Sequence, residues 1–208
     1  MKKIINLLLF GVLIGTLCEC KKGEDDPFIS LRRRKARVVG DWHLTSGTNN
    51  ITSTYNSGST SQSDNDTYTY TETTFAVNSS STFNGNTTTS STTGIYSYQI
   101  NFKKDGTYSL TENNSSVLTI ESGVWNFTHG VGEYKNKEQI ALTSRIRTTG
   151  SGSTTYTGKE PDYTITLKEL RNKKMVFGWD NSSSSSSTFG AISSANTDSS
   201  KGESVLEQ

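Results

Sequence analysis

"IYSYQINFKKDGTYSL", residues 95–110, decides the fold. Tyr96, Tyr98, Ile100 and Phe102 fall on one face, while Ser97, Gln99, Asn101 and Lys103 fall on the other. Successive side chains of a strand point to opposite sides, so a period of two marks a half-buried strand. Lys104-Asp105-Gly106 interrupts the alternation and Tyr108 and Leu110 resume it. The stretch therefore reads as a hairpin closed by "KDG", with Gly106 free to take positive φ.

The same test finds further strands on both sides. Val38, Gly40, Trp42 and Leu44 share parity, as do Tyr68 and Tyr70, Leu118 and Ile120, and Ile140 and Leu142. Tyr163, Ile165 and Leu167 continue the series, and Met175, Phe177 and Trp179 close it. Around Gly123 the apolar parity changes to Trp125 and Phe127, which predicts a bulge or sharp bend. "KELRNKK" reads as a turn between two strands, and no helical period of useful length follows residue 17.

About eight strands are expected, near 37–46, 66–77, 95–103, 106–112, 116–128, 136–147, 162–170 and 173–180. Joined mostly by hairpins, they suggest an all-β fold, an eight-stranded up-and-down antiparallel β-barrel. A β-sandwich of two sheets uses the same alternation and is the alternative. Leu, Ile, Val and Phe supply 32 of the 188 residues from Lys21 onward, and the scarcity is local. It concentrates in residues 56–65, 78–94, 148–161 and 181–202, rich in Ser, Thr, Asn and Gly. These read as long loops and, over 181–208, a low-complexity C-terminal tail, with little apolar surface to offset the entropy of ordering.

The amino terminus has a different character. Lys2 and Lys3 precede an apolar run from Ile4 to Leu17, the pattern of a secretory signal. Fourteen helical residues cover roughly 21 Å, short of the ~30 Å hydrocarbon core of a bilayer. Cys18 and Cys20 are separated by one residue and could close no folded loop as a disulfide. Here the sequence resembles a bacterial lipoprotein signal, in which cleavage precedes a cysteine that then carries lipid. Cys20 matches best, with Leu17 three residues upstream, and Cys18 is the competing site. The resemblance implies a signal over 1–19, a lipidated charged tether over 20–36, and stable membrane anchoring by several acyl chains. "KKGEDD" after Cys20 resembles the lysine-and-acid signal that routes lipoproteins of the Bacteroidetes group to the outer face of the outer membrane. A solvated tether would look the same. "LRRRKAR", 31–37, adds basic charge able to meet anionic head groups, and a plain linker is its other reading.

"GDW", 40–42, at the start of the first strand resembles the Gly-X-Trp signature that opens a lipocalin barrel. With "FKKDGTYSL", "ESGVWNF", "YKNKEQIAL" and "KKMVFGWD" as landmarks, the span 37–180 is similar to the lipocalin-like domain of Bacteroidetes lipoproteins. The arginine that stacks on the tryptophan in lipocalins has no clear counterpart; Arg171, Lys173 and Lys174 are the candidates. The resemblance implies a small hydrophobic ligand held inside the barrel. Candidate lining residues are Trp42, Tyr98, Ile100, Phe102, Trp125, Phe127 and Trp179, each of which would serve equally as ordinary core.

Removing residues 1–19 leaves 19 basic and 19 acidic side chains from 21 and 20. A neutral chain lacks the basic excess that a phosphate-binding surface needs, so nucleic acid is not an expected partner. Catalysis is not expected either: the two histidines, His43 and His129, lie far apart, and no Gly-X-Ser-X-Gly occurs. No metal-ligand spacing or cofactor motif is present; Asp64, Asp66 and Glu72 could meet calcium but read as a solvated loop. Asn-X-Ser/Thr triplets at Asn50, Asn86, Asn114 and Asn181 arise by chance in such a composition.

Two expectations follow. One is a lipid-anchored outer-membrane carrier whose barrel holds a small hydrophobic molecule. The other is a surface interaction lipoprotein with a packed barrel, whose polar loops contact glycans or proteins.

Overall fold

The computed structural model describes residues 34–115, 117–129, 138–150, 152–155, 163–189 and 192–208. The expected signal, Cys18, Cys20 and most of the tether lie outside the described residues. One short helix, α1 (Arg34–Val38), precedes eleven strands: β1 (Gly40–Ser57), β2 (Thr60–Thr71), β3 (Thr74–Phe83), β4 (Asn86–Phe102), β5 (Thr107–Asn114), β6 (Val117–His129), β7 (Glu138–Thr149), β8 (Gly152–Thr155), β9 (Tyr163–Leu170), β10 (Lys174–Phe189) and β11 (Ile192–Glu207).

From β1 to β8 and from β9 to β11 each strand pairs antiparallel with the next, β11 returns to β1, and β7 carries β6 on one side and β8 and β9 on the other. The ring is thereby a closed antiparallel barrel, and the two-sheet sandwich does not form. It has ten strands rather than the expected eight. At the base Gly40–His43 pairs directly with Gln99–Phe102, so the β2–β3 hairpin enters the wall only above that short ladder.

The difference in count comes from the polar stretches. Residues 56–65 and 78–94 lengthen β1 to β4, and 181–208, expected as a tail, completes β10 and supplies β11. Threonine favours extended backbone, and facing hydroxyls bond across the ladder, as in Thr82–Thr87 at 2.9 Å and Ser187–Ser194 at 2.8 Å. Asn84 and Gly85 turn β3 into β4 with φ of 46° and 86°, the two positive values that a tight hairpin requires.

The base is a packed core of apolar and aromatic side chains. Trp42, Ile100, Phe102, Tyr108, Trp125, Ile140, Leu142, Leu167, Leu170, Met175 and Leu206 are fully buried. Phe102 and Trp125 meet edge to face at 5.3 Å between ring centroids. α1 covers this end: Trp42 Nε1 donates to the Val38 carbonyl at 2.6 Å, and buried Arg37 donates to the Leu170 carbonyl. Lys35 lies 5.4 Å above the Trp125 ring. Arg171 and Lys174, candidates to stack on Trp42, pair instead with Glu169.

Three register shifts set which side chains face in, one of them on the β9–β10 ladder between Val176 and Phe177, where it steps over Lys168. On β1 the register steps over Thr45, so the inward series runs Trp42, Leu44, then Gly47, Asn49 and Ile51. On the β6–β7 ladder the shift lies between Ser122 and Gly123, where expected, but the extra residue is Arg145 on β7. The inward parity of β6 therefore continues unbroken through Glu121, Gly123 and Trp125, while Leu118 and Ile120 are exposed.

Candidate binding cup at the barrel mouth

Above the packed base the inward face widens into a cavity of about 310 Å3. Its walls include Leu44, Tyr70, Tyr96, Tyr98, Tyr163 and Ile165, with Phe177, Trp179 and Ser204 opposite. This is near the lower bound of small-molecule pockets, ~300–1,000 Å3, with the aromatic lining and few polar groups typical of them. The strand pairing explains the opening. β9 and β10 bond only through Leu170–Met175, Glu169–Val176 and Leu167–Phe177. Beyond that point Thr164–Thr166 and Gly178–Trp179 border the cavity from the two separated strands. Lys168 crosses the outside of Gly178 to reach Glu203 at 2.8 Å, strapping β9 to β11 beside the gap.

Cross-strand register stacks the aromatic side chains in rows. Phe75, Tyr70, Gly47, Ser204 and Phe177 share one row; Val77, Tyr68, Asn49, Gly202 and Trp179 form the next. Tyr70 contacts Tyr96 at 4.8 Å and Tyr68 at 6.2 Å between centroids, and Phe177 sits 6.3 Å from Trp179. Gly202 leaves the sheet bare where the Trp179 indole lies; a β-carbon there would collide with the ring. Trp179 Nε1 donates to Asn49 Oδ1 at 3.2 Å and to Ser200 Oγ at 3.1 Å.

Two carboxylates stand behind the tyrosines. Tyr96 Oη donates to Glu112 Oε1 at 3.0 Å. Glu121, buried, accepts from Tyr108 Oη and, at 3.4 Å, from Tyr163 Oη, and pairs with Arg147 at 2.6 Å. Burial, reinforced by the Glu112 carboxylate, pushes the Tyr96 phenol far above its ordinary value. Burial with Glu112 and Glu121 does the same for Tyr98, and burial with Tyr98 and Glu121 nearby for Tyr163. Tyr70 is raised by burial, with smaller contributions from Tyr68 and Glu112. Of these hydroxyls, Tyr96 and Tyr163 donate to carboxylates.

Of the residues expected to line a cavity, Tyr98 and Trp179 do so. Trp42, Ile100, Phe102 and Trp125 fill the base below it, and Phe127 packs against that core half-buried. Tyr70, Tyr96, Tyr163 and Phe177 were legible as inward strand positions without being singled out for the site. Glu112 and Glu121 had a signal too, each sharing parity with buried apolar neighbours on its strand.

His43 is half-buried between the inward Trp42 and Leu44, and the side chain of His129 lies outside the described residues. Among the described residues no three His, Cys, Asp or Glu lie together as metal ligands, and no helix is long and apolar enough to cross a membrane. A scan against protein-family models gives no match to the chain, and neither does a search of curated proteins.

Proposed function

We propose that this chain is a non-catalytic, lipid-anchored lipoprotein of the outer membrane, and that its lipocalin-like barrel holds a small apolar molecule in the cup at its mouth. The observation that carries the reading is the cavity of about 310 Å3 bounded by Tyr70, Tyr96, Tyr98, Tyr163, Phe177 and Trp179. Burying an apolar ring against such walls gains roughly 25 cal/mol per Å2 removed from water, and aromatic contacts add specificity. Anchoring rests on Cys20 after the apolar run, and the lipocalin likeness on Gly40-Asp41-Trp42 opening the first strand.

The test is displacement of a neutral fluorescent dye, N-phenyl-1-naphthylamine, from the full chain. The reading expects saturable binding that Trp179→Ala and Tyr98→Ala weaken at least tenfold while the far-ultraviolet spectrum is unchanged. Binding unaffected by both substitutions would overturn it.

A second reading, contact with glycans or proteins, draws support from the hydroxyl-rich upper strands. Among the described residues β4 above Ile95 pairs only with β3, and β10 above Trp179 only with β11, which leaves strand edges there without a described partner strand.

A further inference from the structure

We infer that the cup selects an organic cation, an amine or quaternary ammonium carried on a small apolar body. The inference rests on the cup being a binding site and names the chemistry of its ligand.

Three features of the inward face agree. The walls include the rings of Tyr70, Tyr96, Tyr98, Tyr163 and Trp179, and a cation over the face of such a ring is attracted by its quadrupole. Tyr96 and Tyr163 direct their hydroxyl protons away to Glu112 and Glu121. What these two leave toward the cavity is ring surface and oxygen lone pairs, which welcome a cation.

The second feature is uncompensated charge. Arg147 neutralises Glu121. Glu112 has no Lys or Arg at ion-pair distance among the described residues; its hydrogen bond comes from neutral Tyr96.

The third is the continuation of the face above the cup. Register places Asp66 beside Ile51 and Ser200, then Asp64 beside Ser53 and Asp198 in the next row. Ser53 Oγ donates to Asp198 at 2.5 Å, and Gln62 Nε2 to Asp64 at 2.8 Å, so these acids are held by neutral partners. Lys168 and Lys201 lie on the opposite face, paired with Glu203 and Asp180, and Arg147, the basic side chain beside Tyr163, is paired with Glu121. Aromatic walls with negative charge behind and above them focus a field that draws cations inward.

The experiment titrates the full chain with phenyltrimethylammonium and with tert-butylbenzene, its neutral isostere, following Trp179 fluorescence, and repeats both with benzenesulfonate as the anionic control. The inference expects the cation to bind at least about tenfold more tightly than the isostere. It expects that advantage to shrink severalfold on Glu112→Gln and on added salt, with tert-butylbenzene binding unchanged in the variant. Equal binding of cation and isostere overturns the inference and leaves the apolar cup standing. Tighter binding of benzenesulfonate overturns it likewise. Failure of all three, together with the neutral dye, overturns both.

Discussion

The indole of Trp179 on β10 lies across the bare backbone of Gly202 on β11 and bonds to Asn49 on the strand beyond. One ring thus spans three strands at the rim of the cup. Gly202→Ala would place a methyl group into the indole and against the Thr48 carbonyl. The expected cost is about 1–3 kcal/mol, as for other overpacked sites, with a shift of the Trp179 emission. Denaturant melts of wild type and variant read both effects.

Beneath the cup, Trp125 is completely buried and its Nε1 donates to the Lys103 carbonyl at 3.1 Å. Trp125→Ala should cost about 3–5 kcal/mol by cavity formation. A midpoint shift under 1 kcal/mol would mean that the base of the barrel is not the packed core described.

Glu121 is 3 % exposed, whereas Arg147 is 34 % exposed. Arg147→Met would leave a buried carboxylate with tyrosine donors alone. Because the arginine is partly solvated, the loss should fall near the low end for broken buried pairs, about 3 kcal/mol. Denaturant melts of wild type and variant at neutral pH read the loss.

Alkaline pH should act through the tyrosines of the cup. Tyr70, Tyr96, Tyr98 and Tyr163 have folded-state values raised above the ordinary 10.0 by burial and nearby negative charge. A raised value means that the folded chain keeps the proton after the unfolded chain has lost it. Stability is therefore unaffected below pH ~10 and falls as pH rises beyond it. Tyrosinate absorbance should show these rings silent until the barrel opens, and then appear with the loss of far-ultraviolet signal. Their ionisation near pH 10 with the fold intact would contradict the geometry of the cup.

Much of this barrel was legible in its chain, and what was missed has a common physical origin. Tyr96 to Phe102 alternate so clearly that the strand and the "KDG" hairpin follow from the residues alone, and the structure has Gly106 at φ 87°. The stretches rich in serine and threonine were read as loops because they bury little apolar surface. Their strands are held by hydroxyl pairs, backbone ladders and tight turns, none of which hydropathy records. Asn84-Gly85 was the available signal for the β3–β4 turn, and Val205 and Leu206 marked an apolar end to the supposed tail. In the cup, Tyr98 and Trp179 announced themselves as large inward aromatics. Glu112 and Glu121 carry only the weaker signal of parity, because an acid on an apolar parity is recognised as buried only when its tyrosine and arginine partners are brought from other strands.

That apolar end makes a further prediction. Leu206 is fully buried, and β11 joins β1 to β10 along the whole seam. Ending the chain at Asp180 should abolish cooperative unfolding, where loss of a mere tail would leave the melting temperature within a few degrees. Differential scanning calorimetry of the truncated and full chains distinguishes the two.

The most direct test of the central claim is native mass spectrometry of the full chain isolated gently from its own cells. The account predicts one equivalent of a small apolar molecule, retained in the wild type and absent from a folded Trp179→Arg variant. A wild-type chain whose mass is accounted for by its covalent structure alone, and whose cup takes up no added apolar probe, would contradict it.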